Sequence, residues 1–416
     1  MTPFFTNDAI VLGILLILLA LIFITSGSEI PFFKKFYTYV PPLLLCYFIP
    51  GLLNWPLGLI SADESNLYFV ASRYLLPASL VLLCLSIDIK GIINLGPKAL
   101  IMFITATTGI ILGGVIALWI GLKIFPGINN ASEGNEIWRG LSTVAGSWIG
   151  GGANQTAMKE IYECKDTMFS TFIIIDVVVA NIWMGFLLYG ANNYKKIDKK
   201  LQADNSAIED LKNRVESYRA SIARIPSTTD LFIILAIAFG ATAIAHWGAD
   251  IISPAMKNMS HFLEKYNLQS LSSNFFWIVV IATTLGLVLS ATRLKKYEGS
   301  GASRIGSVFI YILVATIGMK MNLLEAINNL QFFVIGLIWM AVHILLLILV
   351  AKLIKAPFFF IAVGSQANVG GAASAPVVAS AFSPALAPVG VLLAVFGYAL
   401  GTYGAIICAQ LMQWVY

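Results

Sequence analysis

Ten runs of mostly apolar residues recur along the chain, at about 8–26, 38–54, 67–89, 98–124, 168–192, 229–250, 274–291, 305–321, 330–354 and 386–412. Each approaches the roughly 20 residues that a helix needs to cross a bilayer core, so the pattern predicts a polytopic, all-α integral membrane protein. Two further apolar stretches stand outside this set because glycine breaks them: Gly146-Ser-Trp-Ile-Gly-Gly-Gly-Ala-Asn-Gln-Thr-Ala-Met158 and Gly364-Ser-Gln-Ala-Asn-Val-Gly-Gly-Ala-Ala-Ser-Ala-Pro376. Laid side by side without gaps, they pair Gly146 with Gly364, Ser147 with Ser365, Gly152 with Gly370 and Ala157 with Ala375, and set Thr156 against Ser374. That much glycine is tolerated at membrane depth only where broken backbone is covered by protein or lines a cavity. One break in each half predicts a duplicated architecture with a central binding site.

The polar segments between the runs suggest an orientation. Lys34 and Lys35 follow the first run, Asp63 and Glu64 the second, Lys90 and Lys98 the third, Glu133 and Glu136 the fourth. Basic and acidic connections alternate, and because cytoplasmic loops carry the excess of Lys and Arg, the N-terminus is expected outside. The same rule places inside the segment 193–228, with Lys195, Lys196, Lys199, Lys200, Lys212, Arg214, Arg219 and Arg224, and also the stretch 293–304 and Lys352 with Lys355. These assignments agree only if the motif around 139–163 enters and leaves on one side. The simplest arrangement is an inverted repeat of residues 1–192 and 229–416, each half holding five spans and one re-entrant hairpin. The hairpins, at about 139–163 and 357–382, then dip in from outside and from inside respectively, and the C-terminus also lies outside. A segment of that length would serve equally as a discontinuous helix that crosses fully; either form leaves a broken helix near the midplane. The third run ends in Leu85-Ser-Ile-Asp-Ile-Lys90 and its counterpart in Ile317-Gly-Met-Lys-Met-Asn322, each preceding its own glycine motif.

Composition agrees with this class. With 58% hydrophobic and 11% charged residues and a mean hydropathy of +0.84, the chain is no ordinary soluble globule. Its formal charge of +5 reports loop orientation, not nucleic-acid binding. Cys46, Cys84, Cys164 and Cys408 lack metal-ligand or paired spacing and read as small core residues. No Lys or Arg precedes Lys34, so the first run reads as a span and not as a signal peptide.

The two tips carry the candidate chemistry. Gly150, Gly151 and Gly152 would let backbone amides approach a ligand, and a half-helix starting near Asn154 would aim its positive dipole end at the same point, favouring an anionic group. Asn154, Gln155 and Thr156 add side-chain donors and acceptors, and the second tip repeats the set with Ser365, Gln366, Asn368, Gly370, Gly371 and Ser374. Ser147 ends the preceding half-helix, whose carbonyls suit a cation such as sodium. The alternative is that these small residues serve close helix packing. Asp176, in Ile173-Ile-Ile-Asp-Val-Val-Val-Ala-Asn181, is an intramembrane charge and hence a candidate for a coupling sodium ion or proton, with Asn181 about one turn on; the competing reading is a buried structural carboxylate. Its counterpart by the repeat offset falls near Ala394, so any ion site is asymmetric. Asp88 and Lys320 read as boundary charges, and His246, His261 and His343 stand alone. The segment 193–228 carries Ile208, Leu211, Val215, Tyr218 and Ile222 at helical spacing, predicting an amphipathic cytoplasmic linker helix; a second amphipathic piece, about 255–270, is expected at the outer interface.

In length and in the runs Gly-Ser-Trp-Ile-Gly-Gly-Gly-Ala-Asn and Gly-Ser-Gln-Ala-Asn-Val-Gly-Gly, the chain resembles the uncharacterised YjcL-like family of bacterial and plastid membrane proteins along nearly its whole length. More distantly it is similar to the 2-hydroxycarboxylate transporters and the sodium/glutamate symporters. That resemblance implies sodium-coupled symport of a small carboxylate, amino acid or short peptide by an elevator movement, usually as a homodimer, in a bacterial inner membrane. Around the glycines the motifs depart from those families, and neither tip holds an arginine to clamp a carboxylate. A sodium/proton antiporter without organic substrate is the alternative. An enzyme is not expected, since no His-Glu-x-x-His and no serine–histidine pair in one span is present; a channel fits inverted glycine loops less well. No cofactor is expected beyond a possible sodium ion.

Overall fold

The computed structural model describes residues 3–40, 42–61, 65–129, 136–203, 226–265, 268–320, 330–383 and 386–416. Every regular element among them is helical. In order they are α1 (Asp8–Ser26), α2 (Pro31–Tyr39), α3 (Pro42–Asn54), α4 (Leu67–Leu85), α5 (Pro97–Ile124), α6 (Ile137–Ile161), α7 (Asp166–Asn192), α8 (Tyr194–Leu201), α9 (Thr228–Lys257), α10 (Asn274–Ser290), α11 (Ala302–Gly318), α12 (Leu330–Leu353), α13 (Phe358–Val369), α14 (Gly371–Phe382) and α15 (Ala387–Val415). The amphipathic positions 208–222 of the linker lie outside the described residues.

Seven helices among the described residues are long and apolar enough to cross a membrane: α1, α4, α5, α7, α9, α12 and α15. The ten apolar runs thus become seven full-length helices and three shorter ones, α3 with 13 residues and α10 and α11 with 17 each. Proline explains the first case. Pro42 opens α3 and Pro56 follows its end, and the residue before a proline is pushed out of helical geometry. α10 stops before the polar Thr292-Arg293, where the chain bends by 96°.

Proline also shapes α4. Pro77 lacks the N–H that would bond the Arg73 carbonyl one turn back, and the helix widens to π geometry over Ala71–Leu75. The freed Arg73 carbonyl accepts a bond of 2.9 Å from His246 Nε2 on α9.

The helices pack in two groups. One group holds α5, α6, α7, α12, α13, α14 and α15. The other holds α1, α3, α4, α9, α10 and α11. Each takes equivalent parts from the two halves of the sequence. α7, about 40 Å long at 1.5 Å per residue, defines two faces of the molecule: its start, Asp166, lies beside Lys159 and Lys320, and its end, Gly190, packs on Phe358. α12 lies against α5 in the opposite direction, with Ile335 on Gly121, Trp339 on Gly113 and His343 on Gly109. All four cysteines are free and buried.

Candidate functional site

α6 is not a continuous rod. Gly151 sits at φ 76°, ψ −173°, a conformation that costs a residue with a Cβ dearly, and there the chain turns back on itself. The arms meet along their length: a Cβ on Gly146 would stand 2.6 Å from the Asn154 carbonyl oxygen, and the Trp138 and Tyr162 rings pack 5.4 Å apart at the base. The Arg139 guanidinium donates to the Tyr162 carbonyl. α13 and α14 form the second hairpin, turning at Gly370 and at Gly371, whose φ is 59°, with the Phe359 and Phe382 rings 5.3 Å apart at its base. The bases lie at opposite faces. The first abuts the start of α7 through Lys159 and Asp166, 3.0 Å apart. The second abuts its end, where the Phe358 amide donates to Asp198 on α8 over 2.7 Å.

The tips meet in the middle of α15. A Cβ on Gly397 would stand 2.9 Å from the Ile149 carbonyl oxygen and 3.6 Å from that of Ala367, one from each hairpin. Gly150 and Gly401 bring two main chains together, a Cβ on Gly150 falling 2.6 Å from the Gly401 Cα. Beside this junction lies a cavity of about 520 Å³ whose lining includes Gly151, Gly152 and Ala153 of the first tip, Gly370, Gly371 and Ala372 of the second, and Asp176.

Of the residues singled out in the sequence, Ser147, Gly151, Gly152, Asp176, Asn181, Gln366, Gly370, Gly371 and Ser374 line this cavity. Asp176 is 6% exposed and accepts three hydrogen bonds: from Ser147 Oγ at 2.6 Å and Gln155 Nε2 at 2.9 Å on Oδ2, and from Trp148 Nε1 at 2.6 Å on Oδ1. It therefore clamps both arms of the first hairpin to α7. Asn181 donates to the Val177 carbonyl over 2.7 Å, which leaves its side-chain oxygen free for another partner. Gln366 joins Ser374 through a 2.6 Å bond, and its Oε1 is buried without a hydrogen-bond partner.

The other predicted residues are placed behind the cavity. Asn154 donates to the carbonyls of Gly150 (3.0 Å) and Tyr398 (2.8 Å) and accepts from Thr402 Oγ1 (2.6 Å), tying the first tip to α15. Asn368 likewise donates to the Gly364 carbonyl at 3.0 Å and accepts from Thr107 Oγ1 on α5 at 2.8 Å. Thr156 bonds back to the Gly152 carbonyl. Ser365 accepts from Trp183 Nε1 at 2.8 Å and lies 2.7 Å from His343 Nε2, whose Nδ1 is 3.1 Å from the Ala106 carbonyl. Because that carbonyl can only accept, Nδ1 carries the proton and the Ser365 hydroxyl donates to Nε2. The paired serines of the motifs thus each donate to one titratable partner, Ser147 to Asp176 and Ser365 to His343.

Sequence reading passed over His343, Trp148, Trp183, Thr107 and Thr402. His343 carried a signal, a titratable side chain inside an apolar run; the others carried none, because their partners are distant in sequence. Asp88, expected as a boundary charge, is 4% exposed and paired with Lys295. Among the described residues no group of three or more His, Cys, Asp or Glu side chains is placed to hold a metal ion.

Residues 13–415 match a family described as a protein of unknown function (DUF819), and the chain belongs to that family. It is similar to an uncharacterized membrane protein, YjcL, of Bacillus subtilis (strain 168), with 22% identity over 353 residues that cover 82% of each chain. The matched region includes both hairpins and every cavity residue.

Proposed function

We propose that this family member is a secondary active transporter that carries a small solute with an anionic group together with sodium. One observation carries the reading: two glycine-broken hairpins, based at opposite faces, bring their tips to one cavity that also holds Asp176. The chemistry of that cavity is complementary to an anion and a cation bound together. The arms that begin at Gly152 and Gly371 present helix N-termini, each equivalent to about +0.5 charge, to the solute. Asp176, the one ionisable carboxylate in the lining, with Ser147 and the oxygen of Asn181, suits the cation. Either ion alone would leave its opposite unbalanced in a site poor in water.

The common packing of equivalent parts of the two halves supports an inverted repeat with two re-entrant hairpins, one from each face. The split into two helix groups supports an elevator movement in which the group carrying the hairpins shifts against the other. By the distribution of Lys and Arg, the face at Lys98, Lys295 and Lys355 is the cytoplasmic one and the termini lie outside. A sodium/proton antiporter with no organic substrate is the second reading, favoured by the lack of Lys, Arg or His in the cavity lining.

Thermal unfolding of the detergent-purified protein, in sodium and in choline against small carboxylates, amino acids and short peptides, tests the choice. A ligand at about 100 times its dissociation constant adds about 2.7 kcal/mol. Stabilisation by one solute class only in sodium supports symport, and stabilisation by sodium or pH with no solute supports the antiporter.

A further inference from the structure

Where the two helix groups meet at the face of the first hairpin's base, charged side chains interlock. Arg73 Nη2 on α4 stands 3.2 Å from Glu160 Oε2 on the hairpin. Tyr68 on α4 donates its hydroxyl to the same carboxylate and accepts from Lys159 Nζ at 2.9 Å. Asp166 on α7 pairs with Lys159 at 3.0 Å and with Lys320, just past α11, at 3.7 Å. Lys320 also lies over the Tyr68 ring, 3.9 Å from its centroid. The network thus joins α4 and α11 of one group to the hairpin and α7 of the other.

The opposite face has a different construction. Its ion pair Lys295–Asp88 stays inside one group. The residues that the non-hairpin group contributes to the cavity, Phe23, Pro42, Leu83 and Ser307, come from the ends of α1, α3, α4 and α11 at that face, with Ile310 and Tyr311 about one turn deeper. The cavity is therefore flanked by helix ends at the face of Lys295 and sealed by polar side chains at the other. Several sealing groups are incompletely paired: Arg73 Nη1 is buried without a hydrogen-bond partner, as is the hydroxyl of Tyr47 on α3. A partly satisfied polar seam holds less firmly than a packed apolar one.

We infer that Arg73, Tyr68, Lys159, Glu160, Asp166 and Lys320 form a lock that closes the cavity toward the face of the first hairpin, and that it opens when the two groups move. This deepens the transporter reading and rests on it, since a lock between groups matters only if they exchange positions.

The test needs no solute. Ala372→Cys puts a thiol in the cavity, while the native cysteines are buried. A membrane-impermeant maleimide is applied to either side of oriented vesicles. Labelling is expected from the face of Lys295. Adding Arg73→Gln or Glu160→Gln should raise labelling from the opposite face by about fivefold, the population change for roughly 1 kcal/mol lost from a partly exposed ion pair. The charge-reversed pair Arg73→Glu with Glu160→Arg should restore the original pattern, and Lys320→Gln probes the second bridge should either variant fold poorly. Unchanged sidedness in the correctly folded neutralised variants, or equal labelling from both faces throughout, overturns the lock. A sidedness shift in a protein that no solute and no cation stabilises would keep the lock and remove the symport reading.

Discussion

Asp176→Asn separates the two roles of this carboxylate, clamp and cation ligand. The asparagine must present its amide nitrogen to one side of the site. Facing Trp148 it would oppose a donor-only indole N–H that is fully buried, orphaning it at about 1–3 kcal/mol. Facing Ser147 and Gln155, it meets a hydroxyl that can rotate to accept and an amide that can turn its oxygen inward. The second orientation wins, and the clamp survives as neutral hydrogen bonds in place of charge-assisted ones. We expect a loss of about 1–2 kcal/mol, whereas Asp176→Ala strips the acceptor from all three donors and should lose about 3 kcal/mol or more. Thermal unfolding in detergent, with sodium or choline, measures both effects together. Asp176→Asn should remain folded, unfold between wild type and Asp176→Ala, and lose any sodium-dependent shift. Unfolding with Asp176→Ala would refute the orientation argument, and a retained sodium shift would remove Asp176 from cation binding.

Other outcomes follow from the same geometry. Gly150→Ala should lower stability by about 1–3 kcal/mol because its Cβ meets the Gly401 main chain, which cannot rotate away, while Gly185→Ala, with nothing within 4 Å, should be neutral or slightly stabilising; equal unfolding temperatures would contradict the contact. Asn154→Ala should cost about 2–3 kcal/mol through its bonds to Gly150, Tyr398 and Thr402, yet leave solute affinity nearly unchanged in the folded fraction, as a binding titration would show. Burial raises the Asp198 carboxyl above the usual range against the opposing bond from the Phe358 amide. A raised folded value means that its contribution is largest below about pH 4 and is lost as pH rises through that value. Asp198→Asn keeps the acceptor without the charge, so it should raise the unfolding temperature at pH 7 and flatten the acid-side dependence.

The helical membrane class was legible because each run's length and hydropathy report on the bilayer alone, and both breaks were legible because only glycine adopts the backbone found at Gly151 and Gly371. The hairpin limits, 137–161 and 358–382, fall within two residues of those read from the sequence. What the sequence did not reveal is which polar atoms face the cavity. Asn154 and Asn368 carry the same side chain as Asn181, yet their orientation depends on partners in α15 and α5 more than 240 residues away. Trp148 is similarly unreadable, since an indole in an apolar run is indistinguishable from core until its N–H is seen on Asp176. Helix length at α3 was misread because apolarity continues through Pro41-Pro42 while the helix does not.

Coupled flux in proteoliposomes tests the central claim most directly, using whichever solute stabilises the protein in sodium. An inward sodium gradient should drive that solute above its external concentration in wild type, with no accumulation when the gradient is abolished or in Asp176→Asn. Sodium movement in exchange for protons, at a rate indifferent to any solute, would contradict the account.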